Sequence, residues 1–370
     1  MNSRYSRHLR IPEIGEHGQK LIAESRVLVV GSGGLGSPAL LYLAAAGVGV
    51  IGIVDHDFVD LSNLQRQVIF NEASVGLSKT ELAAQRIRDL NSTIEVRAYD
   101  TLLTSQNALE ILCDFDVVID ATDNFATRYL INDACVLLGI PYVWGSILRF
   151  DGQISVFGHV NGPCYRCVFP QPPEPGTVPS CADAGVIGSI CGVIGSMQAT
   201  SALTLVMGMH SPLAGSIGVF NALDMSFDKV PVHRNTDCAV CGDAPTLTEL
   251  IDYSVWCSAS DHSLPRRELQ QLLLERESGI TDFVLVDIRE TAETYMGMIP
   301  GAIHLPMSEL QMVDQLDAHI RESCGSGDII FYCASGYRSG VLIRALTDAG
   351  MNNVRHYPGG FSDWSAAQSH

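Results

Sequence analysis

The chain has 370 residues, 46% of them apolar and 17% charged, a balance that excludes a disordered or low-complexity protein and allows two or three domains with sizeable cores. Asp and Glu number 41 against 23 Lys and Arg, giving a formal charge of -18 and a pI near 4.9. The basic footprint of a nucleic-acid-binding protein is absent.

The chain opens on MNSRYSRHLR, polar and arginine-bearing, with no apolar signal-peptide core after it, so secretion is not expected. Eleven cysteines are too sparse for a disulfide-stapled miniprotein, and four of them form Cys-x-x-Cys pairs, which in a reducing compartment reads as metal or redox chemistry. The cytosol is the expected location. Val27 to Val54 and Ala184 to Leu223 lack Lys, Arg, Asp and Glu, and hydropathy alone would nominate each as a membrane span. The first is broken by GSGGLG and Ala46-Gly47, and the second carries Gly, Ser, Gln198 and His210 without basic flanks, so both read as protein core rather than membrane.

Val27 to Val30, a glycine turn, an apolar helix from about Pro38, and Val50 to Asp55 form a βαβ unit whose near-continuous apolar strands belong to a parallel sheet. Lys79 to Leu90 reads as an amphipathic helix, and Ile94 to Ala98, Asp116 to Asp120 and Pro141 to Trp144 as strands. FPQPPEPGTVP, from Phe169 to Pro179, is too proline-rich for either and reads as a mobile loop delivering Cys181. The alternation restarts with a helix from Arg266 to Glu277, strands Phe283 to Asp287 and Ile329 to Tyr332, and a helix after Ser339. The expected boundary lies near residue 258, giving domains of 1–257 and 258–370 in an α/β chain.

Gly31, Gly33 and Gly36 satisfy G-x-G-x-x-G between a strand and a helix, so backbone N–H groups can approach a phosphate closely, with Gly34 in the same turn. Asp55 ends the next strand, placed for a ribose hydroxyl. The pattern alone fits NAD or ATP. Ser62, Asn63, Leu64, Gln65 and Arg66, with Lys79, Asp123 and Asn124, gather a forked cation, a point cation and an acid near the strand ends, as a triphosphate with a divalent metal requires. Hydride transfer needs none of these.

RYSRHL, GSGGLG, VDHDFVDLSNLQRQ, GLSK and ATDN together resemble the ThiF/MoeB-type, E1-like adenylyltransferases, over roughly residues 1 to 257. The resemblance implies a Rossmann-like adenylation domain using ATP, with Asp55 on the ribose, Arg66 and Lys79 on the phosphates and Asp123 on Mg2+. It further implies that Arg7 reaches the nucleotide of the other protomer in a homodimer.

Cys164-x-x-Cys167 and Cys238-x-x-Cys241 supply four sulfurs, enough for a closed tetrahedral Zn2+ site of structural kind. One pair alone would fit a redox dithiol, and a nucleic-acid-reading zinc ribbon is the rival that the acidic composition opposes. Many members of the resembling family carry such a clamp. Cys181 follows the proline loop at the expected start of the long apolar helix, whose dipole would lower a thiol pKa. By the same resemblance it occupies the position of the cysteine that attacks the adenylated carrier.

Cys333 ends a strand and begins Cys-Ala-Ser-Gly-Tyr-Arg338-Ser339 before a helix, so successive N–H groups converge on its sulfur and favour a thiolate or persulfide anion. Cysteine phosphatases place five residues between Cys and Arg, whereas this loop has four. The shorter cradle resembles the rhodanese-type sulfurtransferases, with Val286 to Glu290, Ile299 to Ala302 and Pro358 to Phe361 as supporting text over about residues 260 to 368. Met298 stands where that family commonly has histidine.

Joined, the halves resemble bifunctional adenylyltransferase/sulfurtransferases of molybdopterin, thiamine, cysteine or tRNA-thiolation pathways. That implies adenylation of the C-terminal glycine of a ubiquitin-like sulfur carrier ending in Gly-Gly, then transfer of sulfur from a persulfide or thiosulfate donor. Catalysis would fall to Cys181, Cys333 and Arg338. A dinucleotide-dependent oxidoreductase and a non-catalytic docking scaffold are the competing expectations.

Overall fold

A computed structural model describes the chain apart from residues 1–2, 160–161, 174–183, 252, 254–261, 311–315, 326 and 369–370. Two compact units are present, the first comprising Met1–Pro172 with Gly185–Tyr253 and the second built on Ser254–His370. Cys181 and most of the proline-rich segment before it lie outside the described residues.

The first unit is built on eight strands: β1 (Arg26–Val30), β2 (Val50–Asp55), β3 (Glu95–Asp100), β4 (Val117–Asp120), β5 (Tyr142–Leu148), β6 (Asp151–Phe157), β7 (Ser216–Asn221) and β8 (Ser226–Pro231). They lie in the order β3-β2-β1-β4-β5-β6-β7-β8, parallel as far as β5 and antiparallel beyond it. The parallel strands are apolar on both faces because helices cover both. From β1 the chain winds outward to β3, then returns to place β4 on the other side of β1. A crevice therefore opens beyond the carboxyl ends of β1 and β4, where open α/β sheets bind their ligands.

Helix Gly36–Ala46 is apolar nearly all round and is buried between the sheet and helix Gly188–Val206. Among the described residues the latter helix alone is long and apolar enough to cross a membrane, and it lies against β4 to β6, burying Ile190, Ile194, Gln198 and Ala202. Gln198 donates to the carbonyls of Asp120 at 2.7 Å and Val143 at 3.2 Å, fixing the ends of two neighbouring strands.

The second unit has a four-stranded parallel sheet, β10-β9-β11-β12, formed by β9 (Phe283–Asp287), β10 (Ala302–His304), β11 (Asp328–Tyr332) and β12 (Val354–His356). The strand period of two divides its core: Val286, Ile329 and Phe331 point to one face, Phe283, Leu285, Ile330 and Tyr332 to the other. Helix Arg266–Glu277 starts after Pro265, and helix Tyr337–Asp348 leaves the loop that follows β11.

Candidate functional site

Two sites stand at the carboxyl ends of the two sheets. In the first, residues 31–36 turn from β1 into helix Gly36–Ala46. A Cβ at Gly36 would lie 1.9 Å from the Gly31 carbonyl oxygen, and Gly31 itself has φ +91°, so both positions exclude a side chain. The bare backbone of Gly33 and Gly34 is thereby presented at a helix N-terminus. Asp55 closes β2 beside this loop, its Oδ2 accepting from Ser32 N and Ser32 Oγ, both at 2.8 Å.

Ser62 and Asn63 lie in a turn capped by Asp60, whose Oδ1 accepts from Ser62 N at 2.8 Å; hydrogen bonding from the Ser62 side chain first, and from its backbone second, holds the Asp60 carboxyl below its ordinary range. Leu64 and Gln65 continue it, and Arg66 folds back to donate to the Ser62 carbonyl at 3.2 Å. The Arg66 side chain also passes beside Gly34. Lys79, at the start of helix Lys79–Leu90, is buried along its stem while its Nζ meets Asp57 Oδ2 at 2.8 Å. Thr80 donates to the Asp55 carbonyl at 2.8 Å, tying that helix to β2. The sequence-selected residues around Asp55, Arg66 and Lys79 are thus gathered by three consecutive hydrogen-bonded segments.

Beyond β4, Asp123 and Asn124 are exposed, and Asn124 Oδ1 accepts from Thr127 N at 2.9 Å to cap helix Phe125–Leu138. Behind them lies a buried acid the sequence reading did not single out. Asp120 Oδ1 accepts from Thr122 N at 3.0 Å and Thr122 Oγ1 at 2.6 Å, while its Oδ2 has no hydrogen-bond partner among the described residues. Burial pushes its carboxyl up, and Arg128, 3.9 Å away, pulls against that shift. Arg128 lies over the rings of Phe125 and Trp144. Arg7 is exposed on the N-terminal segment, which Asn91 anchors through Tyr5 OH at 2.9 Å.

The four cysteines of the two pairs do converge. All four Sγ atoms lie within 4.8 Å of one another, with separations of 3.9 Å for Cys164 to Cys167, 3.6 Å for Cys164 to Cys238 and 3.3 Å for Cys167 to Cys241. A tetrahedral Zn2+ with Zn–S bonds of about 2.3 Å spaces its sulfurs by about 3.8 Å, so the donor set fits that ion. Cys167 Sγ accepts N–H bonds from Cys164 at 3.5 Å and Asn235 at 3.3 Å, and interaction with the Cys164 thiol leads in pulling it down to about 6. Arg234 grips the Cys241 carbonyl with Nε and Nη2.

Arg166, between the first two cysteines, is buried and pairs with Asp133 through Nε at 2.8 Å and Nη2 at 2.7 Å. Tyr253 OH completes that carboxylate at 2.6 Å.

In the second unit, Cys333 follows β11 and is fully buried, and Gly336 N donates to its Sγ at 3.1 Å. Gly336 has φ +86°, and a Cβ there would lie 2.0 Å from the Pro358 carbonyl oxygen, so the cradle closes only on glycine. Arg338 turns both guanidinium arms onto Glu293, at 2.6 Å each, and this bond holds the Glu293 carboxyl below its ordinary range. Glu293 was not anticipated. Arg289, buried against Asp287 and stacked 3.9 Å from the Phe361 ring centroid, braces the adjoining loop.

The ThiF family profile matches residues 5–240 and the rhodanese-like domain profile residues 267–367. A probable adenylyltransferase/sulfurtransferase MoeZ of Mycobacterium tuberculosis is 42% identical over 376 residues, covering 98% of this chain and 92% of that protein. The adenylyltransferase and sulfurtransferase MOCS3 of Culex quinquefasciatus is 41% identical over 380 residues, covering 98% and 87%. A sulfur carrier protein adenylyltransferase of Thermus thermophilus is 52% identical over 259 residues, 69% of this chain and 96% of that one. In fold, the crystal structure of Escherichia coli MccB is similar, with a TM-score of 0.59 at 22% identity over 66% of this chain and 73% of the other. The chain belongs to the ThiF family, as an adenylyltransferase joined to a C-terminal rhodanese-like sulfurtransferase domain.

Proposed function

We propose that the chain adenylates the C-terminal glycine of a ubiquitin-like sulfur carrier with ATP and then converts that end to a thiocarboxylate with sulfur held on Cys333. One observation carries the reading: the cradle that closes on Cys333 shares a chain with a glycine loop whose neighbours are Asp55, Arg66 and Lys79.

Asp55, already oriented by Ser32, receives the ribose, and Arg66 and Lys79 meet the phosphates, Lys79 exchanging Asp57 for them. Mg2+ would be held at Asp123 and would neutralise phosphate charge there. Arg7 serves the nucleotide of the second protomer. A homodimer is supported by the open apolar groove lined by Tyr42, Val68, Val193 and Leu41. Zn2+ held by the four cysteines is structural, because sulfur fills every position. Cys181 acts after adenylation, through a thioester or a mixed disulfide with the carrier. Cys333 takes sulfur from a persulfide or thiosulfate donor. We place the protein in the cytosol, where the nine free cysteines among the described residues suit a reducing environment.

The test is ATP–pyrophosphate exchange with a carrier ending in Gly-Gly, followed by mass analysis of the carrier. Exchange that requires the carrier, and a carrier gaining the mass of a thiocarboxylate, are expected. Exchange without any carrier dependence would refute the assignment.

A further inference from the structure

The second unit holds a buried set of side chains beside Cys333 to which the sulfurtransferase reading gives no task. Ser339 lies in the first turn of helix Tyr337–Asp348, one residue beyond Arg338, and is fully buried. Its Oγ is 3.8 Å from Cys333 Sγ, 3.1 Å from the Gly336 carbonyl oxygen and 3.2 Å from His356 Nδ1. His356 closes β12 opposite Phe331 of β11, and its ring is buried behind the cradle. A loop, a helix and a neighbouring strand each contribute one member.

The hydroxyl has a single proton to give. The Gly336 carbonyl and a Cys333 thiolate can only accept, whereas a neutral imidazole nitrogen can do either. Desolvation first, and the charge of nearby His262 second, lower His356 to about 4, so its ring is neutral near pH 7 with one proton to place. Placing it on Nδ1 satisfies the most groups, because the ring then donates to Ser339 Oγ and leaves the serine proton for the two acceptors.

We propose that His356 and Ser339 are positioning residues for sulfur release from Cys333: the ring Nδ1–H orients the hydroxyl, and the hydroxyl donates to Sγ as charge returns to it. The inference rests on the reading that Cys333 carries a transferable persulfide. With cyanide as acceptor, the lone pair on carbon forms a C–S bond to the outer sulfur. The S–S bond breaks and its electron pair stays on Sγ, so that Cys333–S–S⁻ + CN⁻ gives Cys333–S⁻ + SCN⁻. In the persulfide the charge sits on the outer sulfur, and Ser339 serves the Gly336 carbonyl. As charge moves to Sγ, the charge-assisted bond wins over the neutral one. A bond that strengthens only along the reaction accelerates that step.

The test is a single turnover with the full-length protein, loaded with thiosulfate, freed of donor and mixed with cyanide while thiocyanate is followed. Ser339→Ala and His356→Leu are each expected to slow release about ten-fold, as loss of one such bond does, with undiminished persulfide by intact mass. Ser339→Thr and His356→Asn, which keep a hydroxyl and a polar atom near Nδ1, should stay within about two-fold of wild type. The double variant Ser339→Ala/His356→Leu should be no slower than the slower single variant, since both act through one hydroxyl. Wild-type release by Ser339→Ala, or a double variant whose defects multiply, overturns the inference and leaves the persulfide standing. No added sulfur on Cys333 of the wild-type protein overturns the persulfide reading and the inference with it. Ser339→Ala set against Ser339→Thr decides the matter even where His356→Leu does not fold.

Discussion

Glu293 and Arg338 face each other as two parallel N–H···O bonds of 2.6 Å, joining the turn after β9 to the helix that leaves the Cys333 loop. The guanidinium is thereby a fastener for the cradle. Arg338→Lys keeps the charge but loses the fork. Sulfur transfer from thiosulfate to cyanide is expected to lose several-fold in kcat with KM for thiosulfate little changed. A raised KM at unchanged kcat would make Arg338 a donor-binding residue instead.

Asp123 stands exposed just beyond β4, next to the cap of helix Phe125–Leu138. Asp123→Ala should remove carrier-dependent pyrophosphate exchange while leaving the melting temperature near wild type, because the side chain is not part of the core. Wild-type exchange in the folded variant would eliminate the magnesium role.

Metal analysis should find one zinc per chain, and chelation should lower the melting temperature of the first unit. The Asp133–Arg166 pair beside the clamp is almost fully buried. Asp133→Ala takes the carboxylate from the buried Arg166 charge, a loss of about 3–5 kcal/mol for such pairs. Replacing both with apolar residues should restore most of that. Denaturant unfolding of the single and double variants measures the difference.

Cys181→Ala should spare pyrophosphate exchange and block thiocarboxylate formation, since the task proposed for it begins once the adenylate exists. Normal thiocarboxylate output from the variant would reduce Cys181 to a bystander.

His356 makes the second unit sensitive to acid. The unfolded chain binds a proton there near 6.5 and the folded chain only near 4, so stability is complete above the higher value and declines as pH falls between the two. The full difference amounts to about 3 kcal/mol. His356→Asn should flatten the decline, measured as the melting temperature of the second unit from pH 7 to 4.

Local signals were readable wherever one segment carries its own reason to form. Lys79–Leu90, Arg266–Glu277, Val50–Asp55 and Phe283–Asp287 coincide with expectation because apolar spacing and flanking residues set them. Boundaries moved where the chain context decides: the apolar helix begins at Gly36 rather than near Pro38, and the strand after Asn91 runs to Asp100. The antiparallel strands β6, β7 and β8 had no individual reading; Ala184 to Leu223, which holds β7, shows only as apolar text and hides a helix with it. The four cysteines announced themselves by spacing. The residues that hold the active groups did not: Ser32 on Asp55, Asp57 on Lys79 and Glu293 on Arg338 are partners across 23, 22 and 45 positions, and only folding selects one such acid or hydroxyl from its equals.

Helix Phe125–Leu138 gives the sulfur clamp a mechanical reach that ligand spacing does not reveal. Its first turn hangs from Asn124, next to Asp123, while Asp133 fastens its middle to Arg166 inside the first cysteine pair and Val136 packs on the clamp itself. Fourteen residues of helix make a strut about 21 Å long. The near end is fixed by β4, whose Asp120 pairs with Val30 of β1 just before the glycine loop, and the clamp secures the far end. Loosening those sulfurs would free the far end of this helix first, so the clamp steadies an element that begins beside Asp123 as well as stapling its own turns.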